Sequence, residues 1–146
     1  GYAQSNRERY EGFCQALMDA GKTPNPSLCL TTPLGIDSYR EEIDSFLSSL
    51  SRMPDAFVCA SDYVACILMQ LLEKRGLRVP EDVAVSGFDN NIEDLLAENL
   101  TTVQVFNEEL GSRLALQILY RIKYPHTPHE VTYLESKVLY RASTGD

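Results

Sequence analysis

No apolar run in this 146-residue chain is long enough to cross a bilayer, which takes about 20 residues. The opening residues lack the basic-then-apolar layout of a secretory signal. Positive charge is scarce: 13 Lys and Arg stand against 21 Asp and Glu, a formal net charge of −8. Binding a polyanion needs patches of Lys and Arg, so the chain as it stands is a poor partner for DNA. The four cysteines, Cys14, Cys29, Cys59 and Cys66, include no C-x-x-C pair. Three fall within apolar patterns, where a free thiol acts as a small hydrophobe. They read as reduced, and the compartment as cytosolic (cytoplasmic). Enzyme signatures are also missing. There is no G-x-G-x-x-G, no G-x-x-x-x-G-K, no H-E-x-x-H and no G-x-S-x-G. His126 and His129 lie in the Pro-broken "PHTPH" without partner ligands for a metal. Neither a metal nor another cofactor is expected.

What is present alternates. Ser5 and Glu8 form an S-x-x-E capping box, which predicts a helix start. Tyr10, Phe13, Cys14, Leu17 and Met18 then fall on one helical face, with Gly21 behind them. "LCL", Leu28 to Leu30, reads as a short strand between two loops. Asp37 or Ser38 can cap a helix carrying Ile43, Phe46, Leu47 and Leu50. "AFVCA", Ala56 to Ala60, is a continuous apolar run, as for a strand covered on both faces. Ser61 and Asp62 open a helix to about Arg75, and "VAVSGF" follows as a strand. A short helix is expected over Ile92 to Ala97 and a strand over Thr101 to Val105. Asn107 can cap a helix whose apolar face is Leu110, Leu114, Ala115, Ile118 and Ile122. Acidic pairs Glu41–Glu42 and Glu108–Glu109 suit the first turns of their helices. Val131 to Leu134 and Lys137 to Tyr140 read as tail strands. This order predicts an α/β fold, a doubly wound parallel sheet. The first helix has no strand before it, so the chain is expected to begin inside a domain.

The "VAVSGFDNN" segment ends on three polar residues, Asp89, Asn90 and Asn91. One would serve a turn. In parallel α/β sheets, ligands bind outside the carboxyl ends of the strands. Asp89 lies at one such end and Ser61 with Asp62 at another, so the two clusters are expected to share a rim. Asp89 can equally cap a turn, Ser61 can be only an N-cap, and Ser5 suits a cap better than a ligand.

"RYEGF" (9–13), "PDAFVCASD" (54–62), "GLRVPEDVAVSGFDN" (76–90), "LTTV" (100–103), "LG" (110–111) and "RAST" (141–144) occur in that order. Together they resemble the effector-binding part of the lactose/galactose-repressor family of bacterial transcription regulators, over nearly the whole chain. The resemblance implies a periplasmic-binding-protein-like (type I) fold, two α/β lobes with a ligand cleft between them. Residues 1–100 would be the second lobe without its first strand. Residues 101–146 would hold the interlobe crossover, a helix of the first lobe and the terminal strands. DNA would be bound only through an N-terminal helix-turn-helix domain that is not in this sequence.

By the same resemblance, Arg9 of "R-x-x-G-F" reaches a small-molecule effector, sugar or sugar-like. Ser61 contacts it where Asn is usual, and Asp89 accepts hydrogen bonds from its hydroxyls. Ser5 matches a pocket-lining hydroxyl. The sequence departs from the family where an aromatic would fall near Pro33, and where Val105 replaces a glutamine. Chemistry alone keeps two other readings beside the regulator: a periplasmic or extracellular solute-binding protein of the same fold, and an enzyme on an α/β scaffold. The helix from Asp62 to Arg75 is apolar on nearly every side, which predicts a homodimer through a second copy of the same helix, with Cys66, Ile67 and Met69 as candidates for its outer face; the alternative is a helix wholly enclosed within one lobe. The resemblance points to the dimer.

Overall fold

The computed structural model describes residues 4–32, 38–91 and 95–145, the side chains of residues 95 and 96 excepted. Asp37 as a cap, Pro33, and the first turn of the Ile92–Ala97 helix lie outside the described residues. In chain order the elements are α1 (Gln4–Asp19), α2 (Tyr39–Ser49), β1 (Ala56–Val58), α3 (Asp62–Lys74), β2 (Ala84–Ser86), α4 (Leu95–Glu98), β3 (Thr102–Gln104), α5 (Asn107–Lys123) and β4 (Lys137–Leu139).

β1 pairs in parallel with β2, with Phe57 opposite Val85. Parallel bridges between Ser86 and Thr101, and between Asp89 and Gln104, carry the pairing on to β3. β4 runs antiparallel to β3, with Val103 opposite Val138. The described strands thus form two two-stranded sheets, parallel β1–β2 and antiparallel β3–β4, joined edge to edge by these two parallel bridges.

The core forms where two helices meet this sheet. Ile43 and Leu47 of α2 are buried, the i, i+4 pair of its apolar face. They pack with Ala65, Leu68 and Leu72 of α3 and with Val83, Val85 and Leu100. Leu72, Leu100, Val83 and Val85 are almost wholly enclosed. Each such aliphatic side chain contributes about 1.5–3 kcal/mol by leaving water. α3 is well closed at both ends. Ser61 Oγ accepts from the Val64 amide, and Gly76 at φ +73° follows the Arg75 cap.

Gly87, just past β2, has no room for a side chain. A Cβ there would lie 2.2 Å from Asp62 Oδ1 and 3.1 Å from Asp62 Cα. The missing Cβ lets the first turn of α3 settle on the sheet. The Asp62 amide donates to the Phe88 carbonyl at 2.9 Å, and Thr102 Oγ1 donates to Asp62 Oδ1 at 2.6 Å.

Several expectations are corrected. Ser5 sits inside α1 rather than capping it, and Gln4 Nε2 reaches Glu8 instead. "LCL" is no strand: Pro26 to Leu28 form a 3-10 turn, because Asn25 Oδ1 accepts from the Ser27 amide and Pro26 pre-sets the backbone. β1 is not covered on both faces, since Val58 is 63% exposed. α1 stands off from it and leaves a cavity of about 500 Å³ lined by apolar groups, among them Phe13, Leu30, Phe46 and Phe57. Val131 to Leu134 is not a strand. On α5 the expected apolar face (Leu110, Leu114, Ala115, Ile118 and Ile122) is exposed along its length.

The outer face expected for α3 is also corrected. Cys66 and Ile67 are buried among this chain's own residues, and Met69 is only partly exposed. α2, α4 and β2 cover the helix, so its apolar character needs no second copy.

Among the groups that stitch the tail into this core is one buried hydroxyl. Buried Ser143 Oγ donates to the Val85 carbonyl at 2.6 Å and accepts from the Thr101 amide at 2.8 Å. Ser143→Ala strands both buried groups, so the urea unfolding free energy is expected to fall by about 1–3 kcal/mol. An unchanged midpoint would show that the tail does not share the core's cooperativity.

Candidate functional site

The carboxyl ends of β1 and β2 lie side by side, because the strands are parallel and in register. β1 leads through Cys59 and Ala60 into Ser61. β2 leads through Gly87 and Phe88 into Asp89. α1 crosses above them and brings Arg9 to both. Arg9 Nη1 donates to the Ala60 carbonyl at 2.6 Å, and Nη2 lies 3.4 Å from Asp89 Oδ1. Its guanidinium carbon sits 3.7 Å from the centroid of the Phe88 ring. One cation is thus held by a carbonyl, an aromatic face and a carboxylate, each from a different direction.

The structure therefore joins Arg9 and Asp89 directly and sets Ser61 beside the carbonyl that Arg9 holds. Ser61 spends its hydroxyl on capping α3. Ser5 is exposed one turn before Arg9 on α1. Phe88 was missed as a site residue, although it stands in the quoted "GFDN".

Asp89 has φ +109° and Asn90 φ +51°, two successive non-glycine residues in the left-handed half of backbone space. Such conformations cost of order 1–3 kcal/mol each and persist where the surroundings hold them. Asp and Asn tolerate them best after glycine. The surroundings here are specific. The Asp89 amide donates to the Val103 carbonyl at 3.0 Å. Asn90 Nδ2 donates to Gln104 Oε1 at 2.5 Å, and Asn90 Oδ1 accepts from Arg141 Nη2 at 2.9 Å.

The carboxyl of Asp89 is about a quarter exposed and titrates above its ordinary value. Burial is the main cause, Arg9 opposes it, and the Asp62 charge adds to it. The site is thus a partly desolvated acceptor beside a fixed donor fork, suited to the hydroxyls of a polar ligand. It offers no thiolate: burial above all pushes the Cys59 thiol up to about 12. Among the described residues no group of His, Cys, Asp and Glu could hold a metal ion. No helix of the described residues is long and apolar enough to cross a membrane.

Comparison with known proteins shows the family. A family model described as "Periplasmic binding protein-like domain" matches residues 2–144. The HTH-type transcriptional repressor PurR of Photobacterium profundum is 28% identical over 141 residues, 96% of this chain and 42% of that protein. A LacI-type transcription regulator from Bifidobacterium animalis subsp. lactis superposes with a TM-score of 0.78 at 27% identity, over 95% of this chain and 50% of that one. The transcriptional regulator CelR in complex with cellobiose superposes with a TM-score of 0.80 at 30% identity, over 93% of this chain and 42% of that one. The chain thus spans less than half the length of the curated relatives it matches.

The raised Asp89 value has a sign that can be read in solution. The folded carboxyl keeps its proton to higher pH than the unfolded one. Its contribution to stability is therefore complete below the unfolded value and is lost as pH rises through the folded value. Arg9→Met removes the one cause that lowers it, so a carbon-detected NMR titration should show the Asp89 inflection move up further. Asp89→Asn should flatten this part of the stability-against-pH curve. A wild-type inflection at or below that of an ordinary aspartate would mean that burial does not outweigh the Arg9 charge at this carboxyl.

Proposed function

We propose, from the premise that this chain belongs to the periplasmic binding protein-like domain family in the form carried by LacI-family transcriptional regulators, that it senses a small polyhydroxylated effector, a sugar or sugar-like metabolite. The observation that carries this reading is the meeting of Arg9 and Asp89 above the carboxyl ends of two adjacent parallel strands, 3.4 Å apart. Asp89 accepts from ligand hydroxyls, Arg9 donates its fork, and Ser61 and Ser5 stand at the margin with their own hydroxyls. The cellobiose bound to CelR makes a sugar the first ligand class to try. The same relatives favour a regulator over an enzyme or a transport receptor.

In this reading residues 1–100 form one lobe, and residues 101–146 cross to a second body and return. The exposed apolar face of α5 supports that division, since a helix with such a face is normally covered. An effector between two lobes acts by binding one relative orientation more tightly than the other. That bias would reach operator DNA through a separate DNA-binding part, because this domain carries a net charge of −8.

Calorimetry on the natural protein with a panel of mono- and disaccharides, beginning with cellobiose, tests the ligand class. Asp89→Ala is expected to weaken the best of them by about 1.5–3 kcal/mol, the range for a hydrogen bond to a charged group. Unchanged affinity would remove Asp89 from the site, and no heat from any sugar would remove the ligand class.

Self-association belongs to the same reading, with a changed surface. If α3 pairs with its copy, Tyr63 and Met69 meet the partner, Tyr63 being 54% exposed. Tyr63→Glu should then lower the mass seen by analytical ultracentrifugation without loss of fold. Ile67→Glu should unfold the chain, because it buries an unpaired charge. A wild-type monomer at high concentration would rule out pairing through α3.

A further inference from the structure

Three strong contacts converge on Arg141, a residue the ligand reading does not use. Its Nη1 donates to the Ala97 carbonyl at 2.9 Å and to the Leu100 carbonyl at 3.1 Å. Its Nη2 donates to Asn90 Oδ1 at 2.9 Å. Its own amide donates to Thr101 Oγ1 at 2.8 Å, which anchors the residue at its backbone as well. Arg141 therefore ties the end of α4 and the segment after β4 to the turn that carries Asp89.

Asn90 completes the link. Its amide group donates to Gln104 on β3 while its oxygen receives Arg141, so both ends of the side chain are engaged. Gln104 Nε2 in turn donates to the Val105 carbonyl at 3.0 Å. The side chain thus clamps residue 90 at φ +51° and, through the shared peptide, residue 89 at φ +109°. A turn of this kind would relax without its partners. Guanidinium geometry matters here, since one planar fork must serve two carbonyls and an amide oxygen at once.

We infer that Arg141 and Asn90 are positioning residues, which act through the left-handed turn to hold the Asp89 carboxylate where the ligand would meet it. The inference rests on the reading of Asp89 as a ligand contact, but its test needs no ligand. The structural consequence is that β3 and the segment after β4 are rigidly coupled to the site through side chains that touch no effector.

The test uses the 146-residue chain without ligand, as wild type, Arg141→Met, Arg141→Lys and Asn90→Gly. Two signals are followed: amide hydrogen exchange at Asp89, whose N–H donates to Val103, and the NMR titration of the Asp89 carboxyl. Arg141→Met is expected to speed exchange at Asp89 at least about tenfold, the factor that goes with losing a hydrogen bond to a charged group. The carboxyl should also move toward its ordinary value as water reaches it. Exchange at the Cys59 amide, bonded to the Ser86 carbonyl, is the internal control and should change far less. Arg141→Lys should rescue only part of the effect. Asn90→Gly relieves the backbone strain yet loses both side-chain bonds, so it too should loosen Asp89. If either Arg141→Met or Asn90→Gly lowers global stability alone, with Asp89 titrating and exchanging as in wild type relative to Cys59, the positioning role is refuted. Should a variant unfold, the remaining ones answer the same question. A failed ligand titration with an intact turn would count against the effector reading and leave this coupling standing.

Discussion

Everything polar in the site hangs on the contact between the start of α3 and the end of β2. Asp62 is 2% exposed, and a carboxyl so buried is tolerated only with partners. It has them: Thr102 donates to its side chain, and its amide finds the Phe88 carbonyl. Gly87 leaves the space in which this can happen. Ser61 is one residue before Asp62, and Asp89 is one after Phe88. Their separation is set by groups that face away from any ligand, and three strands share in setting it.

On that platform Arg9 adds organisation more than stability. A partly exposed ion pair at 3.4 Å, each side chain about a quarter open to solvent, is worth little to folding. Its use is that the guanidinium is already oriented, by the Ala60 carbonyl and the Phe88 ring, before anything binds. The strained turn works in the same sense. Conformational freedom that a loop would lose on binding is removed at folding instead, when core packing and the Asn90 hydrogen bonds oppose it.

The sequence was most readable where local chemistry and burial agree. α2 and α3 stand where their periodicity placed them, with Ile43 and Leu47 inside and Ser61 as the cap. "LCL" misled because three apolar residues say nothing about the Asn25 and Pro26 that override them. α5 misled differently: a periodic apolar face reports that something covers a helix, and not what. α3 looked too apolar for one lobe because the share of its surface taken by α2 and α4 is a tertiary fact. Arg9 and Asp89 were reached through their motifs; Asp89 stands past a parallel strand end, and α1 brings Arg9 to it. Asn90 was legible only as part of the polar strand end, and Arg141 only as the first residue of a family motif. They are 51 positions apart, and no local pattern records a bond between them.

The left-handed backbone at position 89 also limits how this candidate site can diversify. Most side chains are excluded by the Cβ penalty at φ +109°. What remains is a carboxylate, an amide or a bare glycine, so descendants of this domain have a three-letter alphabet at the centre of the candidate site. Novel preferences must then be spelled around it, at positions such as 9 and 61, where an ordinary helix and an ordinary cap accept a wider choice. Divergence in such a lineage is expected to leave the acceptor nearly fixed while its neighbours change.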